Sequence, residues 1–168
     1  LDSLSALSLL KANHLFESEG ISIGVAFNPY LPGSLFEEEL FRLKMKLKSG
    51  LVRSIWIQFG TDYILLNSRI KLLKSILDSF NKINSCNSKI MIYGSILIPS
   101  KQFLAQFKFR PWKGVYCSSE FLDSIENANI ILKNIFNTYK KNNIHPIIET
   151  GIYTDNHLKN LKITLSTR

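Results

Sequence analysis

The sequence predicts an α/β chain in which parallel strands alternate with helices. Three observations carry this. Three apolar strands each run into a short polar segment at their C-terminal end, in ISIGVAFNPYLPG, SIWIQFGTD and IMIYGSILIPS, residues 21–33, 54–62 and 90–100. Each is followed by a stretch with helical periodicity. A fourth apolar segment, residues 145–150, comes after a long helical stretch. Strands separated by helix-bearing crossovers pair in parallel with right-handed connections. Both an open doubly wound sheet and half of an eight-stranded barrel satisfy those rules. A complete (β/α)8 TIM barrel takes about 250 residues and this chain has 168. The fold class expected is therefore α/β, either an open sheet or four βα units of a half barrel, and the missing start favours the half.

Each element has its own signals. Residues 4–15 place Leu4, Leu7, Leu10 and Leu15 on one face behind Asp2 and Ser3, an amphipathic helix with its cap at the start. The first strand, 21–27, is apolar nearly throughout, as when both faces of a parallel sheet are covered. Two prolines and Gly33 end it. In the next helix Ser34 and Glu37 read as a capping box and Glu37 to Glu39 as acids at the positive end of the dipole. Arg42, Lys44, Lys46 and Lys48 lie toward the other end, and Gly50 follows as the residue past the helix. Phe36, Leu40, Leu43 and Leu47 make the buried stripe. The second strand spans 53–59, and Gly60-Thr61-Asp62 leads into a helix with Leu66, Ile70, Leu73, Leu77 and Phe80 on one face. Polar residues 81–88 close that unit. The third strand, 90–98, ends at Pro99-Ser100, with Ser100 capping a shorter helix that bears Phe103, Leu104 and Phe107. One long helix is expected over 119–141. Thr154 and Asp155 cap a last short one.

Composition narrows the function classes. With 45% hydrophobic and 20% charged residues the chain buries a core and is not disordered. No apolar run reaches the 18 or so residues of a membrane span, and the opening at Leu1 has no leader pattern, which reads as a cytoplasmic enzyme piece without its natural start. Cys86 and Cys117 form no CxxC pair, and His14, His145 and His157 share no ligand spacing, so no metal site is expected. P-loop, GxGxxG and GxSxG motifs are absent. Net charge is +8, from 21 Lys and Arg against 13 Asp and Glu, which favours an anionic partner. The cations read as spread over helix faces and ends without the aromatic interleaving that stacks bases. A small basic α/β binding domain for nucleic acid or another polyanion is thus the alternative function.

Four segments resemble the methylenetetrahydrofolate reductase family in order along almost the whole chain. VAFNPYLPG is similar to that family's strand and proline-bearing loop near the flavin. LFRLKMKLKSG followed by IWIQFGTD is similar to its next helix and the strand bearing a folate-contacting glutamine. YGSILIPS is similar to its glycine-isoleucine-proline strand, and FRPWKGVYCSSEFLDS to a divergent bacterial branch. The resemblance implies the C-terminal half, four βα units, of a (β/α)8 TIM barrel over residues 1–168, with the N-terminal half absent, and a role in one-carbon metabolism. The enzyme would reduce 5,10-methylenetetrahydrofolate to 5-methyltetrahydrofolate with NAD(P)H through FAD. Implied cofactor-binding residues are Ala26, Asn28, Glu39, Arg42 and Lys46, with Asn28 standing where the family commonly has an aromatic. Implied substrate-binding residues are Gln58, Gln106 and Phe109. Gln58 suits a pterin because an amide offers both donor and acceptor. Its other reading is a strand-end glutamine satisfied by a loop. Arg110 and Lys113 could meet a glutamyl tail or simply face solvent, and Trp112 reads as a loop anchor or a stacking surface. The family's catalytic acid and flavin-side aspartate belong to the other half, so no catalytic residue is assigned here. The isolated piece is expected to lack reductase activity and, with two unpaired sheet edges, to form a homo-oligomer or aggregate.

Overall fold

The computed structural model describes residues 2–13, 20–84, 90–151 and 154–165. His14, Leu15 and Cys86 lie outside the described residues. Four strands alternate with helices: α1 (Ser3–Ala12), β1 (Ile23–Phe27), α2 (Gly33–Lys48), β2 (Val52–Ile57), α3 (Tyr63–Asn84), β3 (Met91–Leu97), α4 (Lys101–Phe109), α5 (Ser119–Asp123), α6 (Ile125–Lys141), β4 (His145–Glu149) and α7 (Asp155–Leu165). The sheet has the order β1-β2-β3-β4 and every pair is parallel. All four C-terminal strand ends therefore share one rim. Within these four strands the order has no reversal of the kind at which a doubly wound sheet changes direction, and it is compatible with half of a barrel.

The side chains divide by parity. Val25, Phe27, Ile55, Ile57, Ile92 and Ile96 point to the helix-covered side and are buried with Leu40, Leu43, Leu66, Ile70, Leu73, Leu132 and Ile135. The opposite face carries Gly24, Ala26, Ser54, Trp56, Tyr93, Ser95, His145 and Glu149 and is open, with Trp56 46% exposed. The expectation that β1 is covered on both faces is thus corrected. β1 is apolar nearly throughout because Gly24 and Ala26 are small, not because they are buried. Across the open face Ala26, Trp56, Tyr93 and His145 stand in register. Trp56 stacks on Tyr93 at 4.8 Å, and Tyr93 meets His145 at 5.6 Å. The indole also crowds Gly24, where an added Cβ would meet Nε1 and Cδ1 of Trp56 and the Ser54 hydroxyl.

Local corrections have local causes. α2 starts at Gly33 with Pro32 as its uncapped N-cap, so the Ser34–Glu37 capping box does not form and Glu37 to Glu39 lie past the first turn. Gly50 is left-handed at φ +78°, as expected for the residue ending the helix. The single helix expected over 119–141 is two. Ser124 adopts an extended conformation (φ −148°, ψ 163°), and its hydroxyl accepts the Asn127 N–H at 3.1 Å, starting α6 afresh. Among the described residues of the expected α1 stripe, Leu7 is buried, Leu4 is half-buried and Leu10 is exposed. The caps expected of Asp2, Ser100 and Thr154 are in place.

Candidate functional site at the strand exits

The rim is assembled from the β1 exit (Asn28–Leu31), the β2 exit (Gln58–Asp62), the β3 exit (Ile98–Ser100) and the β4 exit (Glu149–Gly151), and is crossed by residues 110–118. α6 is the crossover that packs on α3, β3 and β4. α4 and residues 110–118 are an excursion that precedes it and folds back over β1 and β2. Tyr116 forms a parallel bridge with Gly60, and its carbonyl accepts the Thr61 N–H at 3.0 Å. The buried Thr61 hydroxyl accepts the Ser118 N–H at 2.7 Å. Asn28 Nδ2 donates to the Gly114 carbonyl at 2.8 Å. Gly114 sits at φ +83°, which closes the Trp112–Val115 turn and is open to glycine.

The proline loop after β1 is clamped as firmly. Arg69 of α3 donates through Nη1 to the Pro29 and Leu31 carbonyls, each at 2.9 Å, while its guanidinium lies over the Phe36 ring. Desolvation lowers its pKa from the usual arginine value. Between these carbonyls the Tyr30 ring is buried against Gly60, which has no room for a Cβ. Tyr30 Oη makes no hydrogen bond of good geometry. The Tyr139 hydroxyl, which itself donates to the Ser95 carbonyl at 3.3 Å, is the first polar group it senses. Burial raises the pKa of both phenols. Burial likewise pushes the Cys117 thiol up to about 12, so at neutral pH it is a neutral thiol and a poor nucleophile. Tyr30, Thr61, Phe107, Tyr116 and Cys117 line a cavity of about 460 Å³ beneath the excursion. A wider hollow of about 1010 Å³ lies between the β3 and β4 exits and α7. Among the described residues no cluster of His, Cys, Asp and Glu could hold a metal, and no helix is long and apolar enough to cross a membrane.

The residues singled out in the sequence separate into three groups. Gln58 is half-buried at the β2 exit, on the open-face side that Ser54 and Trp56 define. Its backbone N–H bonds the Phe27 carbonyl, and its side-chain amide has no protein partner among the described residues. Gln106 and Phe109 sit exposed on α4, Phe109 at 92%. Ala26, Asn28, Glu39 and Lys46 belong to the free edge of β1. The Phe27 carbonyl points to β2, so the polar groups of Ala26 and Asn28 point outward. Glu39 Oε1 accepts the Asn28 N–H at 3.0 Å, and Lys46 Nζ donates to the Ala26 carbonyl at 3.4 Å. The remaining Asn28 oxygen accepts the Tyr30 N–H. Arg42 reaches Ser3 of α1. Burial lowers the Lys46 pKa, Glu39 opposing and Arg42 reinforcing. The i, i+3, i+7 spacing from 39 to 46 thus aligns these side chains, but toward backbone and α1. They offer no cradle to a flavin phosphate. Contacts of this kind blunt an unpaired strand by engaging two of the outward groups of β1, and at β4 Pro146 removes one outward donor.

No protein-family model matches the chain, and no curated protein matches it. Sequence reasoning missed Thr61 and Arg69 as rim builders. Nothing in a lone threonine or helix arginine signals partners 57 and 40 residues away.

Proposed function

We propose that this chain contributes the C-terminal four βα units of a (β/α)8 barrel that reduces 5,10-methylenetetrahydrofolate to 5-methyltetrahydrofolate with NAD(P)H. The observation that carries this reading is Gln58: a half-buried amide with no protein partner among the described residues, on the open sheet face, at the rim where all four strands end. In barrel enzymes substrates meet the strands at that end. A carboxamide there can donate to and accept from one edge of a pterin. The open face with its Trp56–Tyr93–His145 row supports the barrel part, since the inward residues of a closed barrel lose their solvent when the other strands are added. FAD belongs to this reading through the resemblance alone, because the side chains assigned to it are engaged by the chain itself. The residues that move protons would be supplied by the other half.

The test is made on the complete open reading frame carrying this chain. NADH oxidation driven by methylenetetrahydrofolate is expected, with flavin absorbance recorded on the purified protein. Gln58→Ala should weaken folate binding by about 1–3 kcal/mol, the scale of removing one hydrogen-bonding partner from a buried polar group. Folate affinity unchanged in that variant, or no folate-dependent oxidation at all, would overturn the proposal.

A further inference from the structure

Residues 107–116, FKFRPWKGVY, alternate aromatic and basic side chains. Their interleaving corrects the expectation that the chain has no such strip. Phe109 is 92% exposed, Trp112 54% and Tyr116 38%, and Lys108, Arg110 and Lys113 are all exposed. Among the described residues none of these three cations makes an ion pair, and Asp62, which lines the same cavity as Lys108, is committed to the Ile64 and Leu65 amides. The charge extends beyond the turn. Between Asp78 and Glu120 the chain has Lys82, Lys89, Lys101, Lys108, Arg110 and Lys113 and no acid.

The strip is also rigid. Trp112 packs edge-on against Phe103 at 5.3 Å and Phe107 at 6.1 Å, which holds its ring while leaving half of it in solvent. The backbone is tied at Arg110 to Gln106, at Val115 to Trp112, at Gly114 to Asn28 and at Tyr116 to Thr61. A surface held in one conformation before binding loses little entropy on binding.

We propose that this strip is a docking site for single-stranded nucleic acid, with bases stacking on Phe109, Trp112 and Tyr116 and phosphates meeting Lys108, Arg110 and Lys113. Interleaved π-faces and cations are what sequence-tolerant strand binding requires. A lipid surface fits less well, because Leu104 and Phe107 of α4 are buried in the protein and Phe103 packs beside them, leaving no amphipathic face to lie in a bilayer. The strip shares Phe109, Arg110 and Lys113 with the residues the resemblance offers to folate, but Gln58, which carries the folate reading, takes no part in it, so Gln58→Ala should leave oligonucleotide binding unchanged.

The experiment titrates the chain with fluorescein-labelled deca-thymidylate, following anisotropy and tryptophan emission at several salt concentrations. Binding is expected, with log K falling against log salt at a slope of about −2, from three phosphate contacts at about 0.7 each. Tryptophan emission should be quenched in the wild type and not in Trp112→Phe, which keeps Trp56. Phe109→Ala should weaken binding about tenfold, and Lys113→Gln should reduce the slope by about 0.7. Both positions are exposed, so circular dichroism should show an unchanged fold. No binding at 50 mM salt overturns the proposal. So does equal affinity for poly-glutamate, or binding to phosphatidylserine vesicles but not to the oligonucleotide. An unaltered affinity in Phe109→Ala would reduce the site to charge alone and also refute it.

Discussion

Asn28 and Gly114 are joined by a 2.8 Å hydrogen bond, side-chain amide to carbonyl, across 86 residues of chain. That bond fastens the excursion after α4 to the exit of β1, while the other atom of the same amide holds the Tyr30 N–H. One residue thereby shapes two loops of the rim.

Asn28→Ala should release the excursion without unfolding the sheet. Two part-buried hydrogen bonds are lost, each worth about 1 kcal/mol. Limited trypsin digestion reads the effect locally. Cleavage after Lys113 should accelerate several-fold, whereas Arg110 is followed by Pro111 and stays resistant. Equal cleavage rates in variant and wild type would show that the latch is not needed.

Glu39→Ala tests the edge plug. The Asn28 N–H loses a charged acceptor, which should cost about 1–3 kcal/mol in urea unfolding. With the outward groups of β1 freed, self-association should also rise, measured as mass by light scattering after gel filtration. A variant that is as stable and as monomeric as its parent would remove this role from Glu39.

Gly94→Ala tests how tightly α6 seats on the sheet. Its Cβ would lie 2.4 Å from Tyr139 Cζ, against a fully buried ring. Overpacking should cost about 1–3 kcal/mol. In a Tyr139→Leu background the same substitution should cost much less, because neighbouring changes couple. Additive losses would contradict the contact.

The fold should weaken in alkali. Cys117, Tyr30 and Tyr139 all have raised pKa values from burial, so each keeps a proton that the unfolded chain has given up. Their contribution is complete below the unfolded pKa and falls as pH rises through the folded one. For Cys117 the window runs from about 9 to about 12, and the phenols follow above the ordinary tyrosine value of about 10. Lys46, lowered by burial, acts with the opposite sign just below the ordinary lysine value. Three groups oppose one, so the urea midpoint should decline from pH 9 upward, and Cys117→Ala should delay the onset. A flat midpoint between pH 8 and 11 would contradict these burials.

The order of elements was legible in the sequence because each rests on short-range physics. Apolar runs stop at Pro29, Gly60 and Pro99, and the helix stripes Phe36–Leu47 and Leu66–Leu77 repeat every three or four residues and are buried as that spacing requires. Periodicity failed where two local rules competed. In 119–141 the apolar repeat ran through Ser124, whose hydroxyl bonds a backbone amide more favourably than it continues a helix. In α2 the Ser34–Glu37 spacing matched a capping box, but Pro32 had already set the start two residues earlier.

The chain alone determines that strands alternate with helices, which side chains form the helix stripes, and that polar residues and prolines gather after each strand. Only the tertiary structure decides that β1 to β4 lie in sequential order with one bare face and that Gln58 stands half-buried at their common end, without a side-chain partner among the described residues. It alone shows that Glu39 and Lys46 turn to the outer edge of β1 and that residues 110–118 are carried across to Asn28 and Thr61. Periodicity reports only which side of an element is apolar. What a polar side chain meets depends on backbone groups tens of residues away, brought near by the burial of the core.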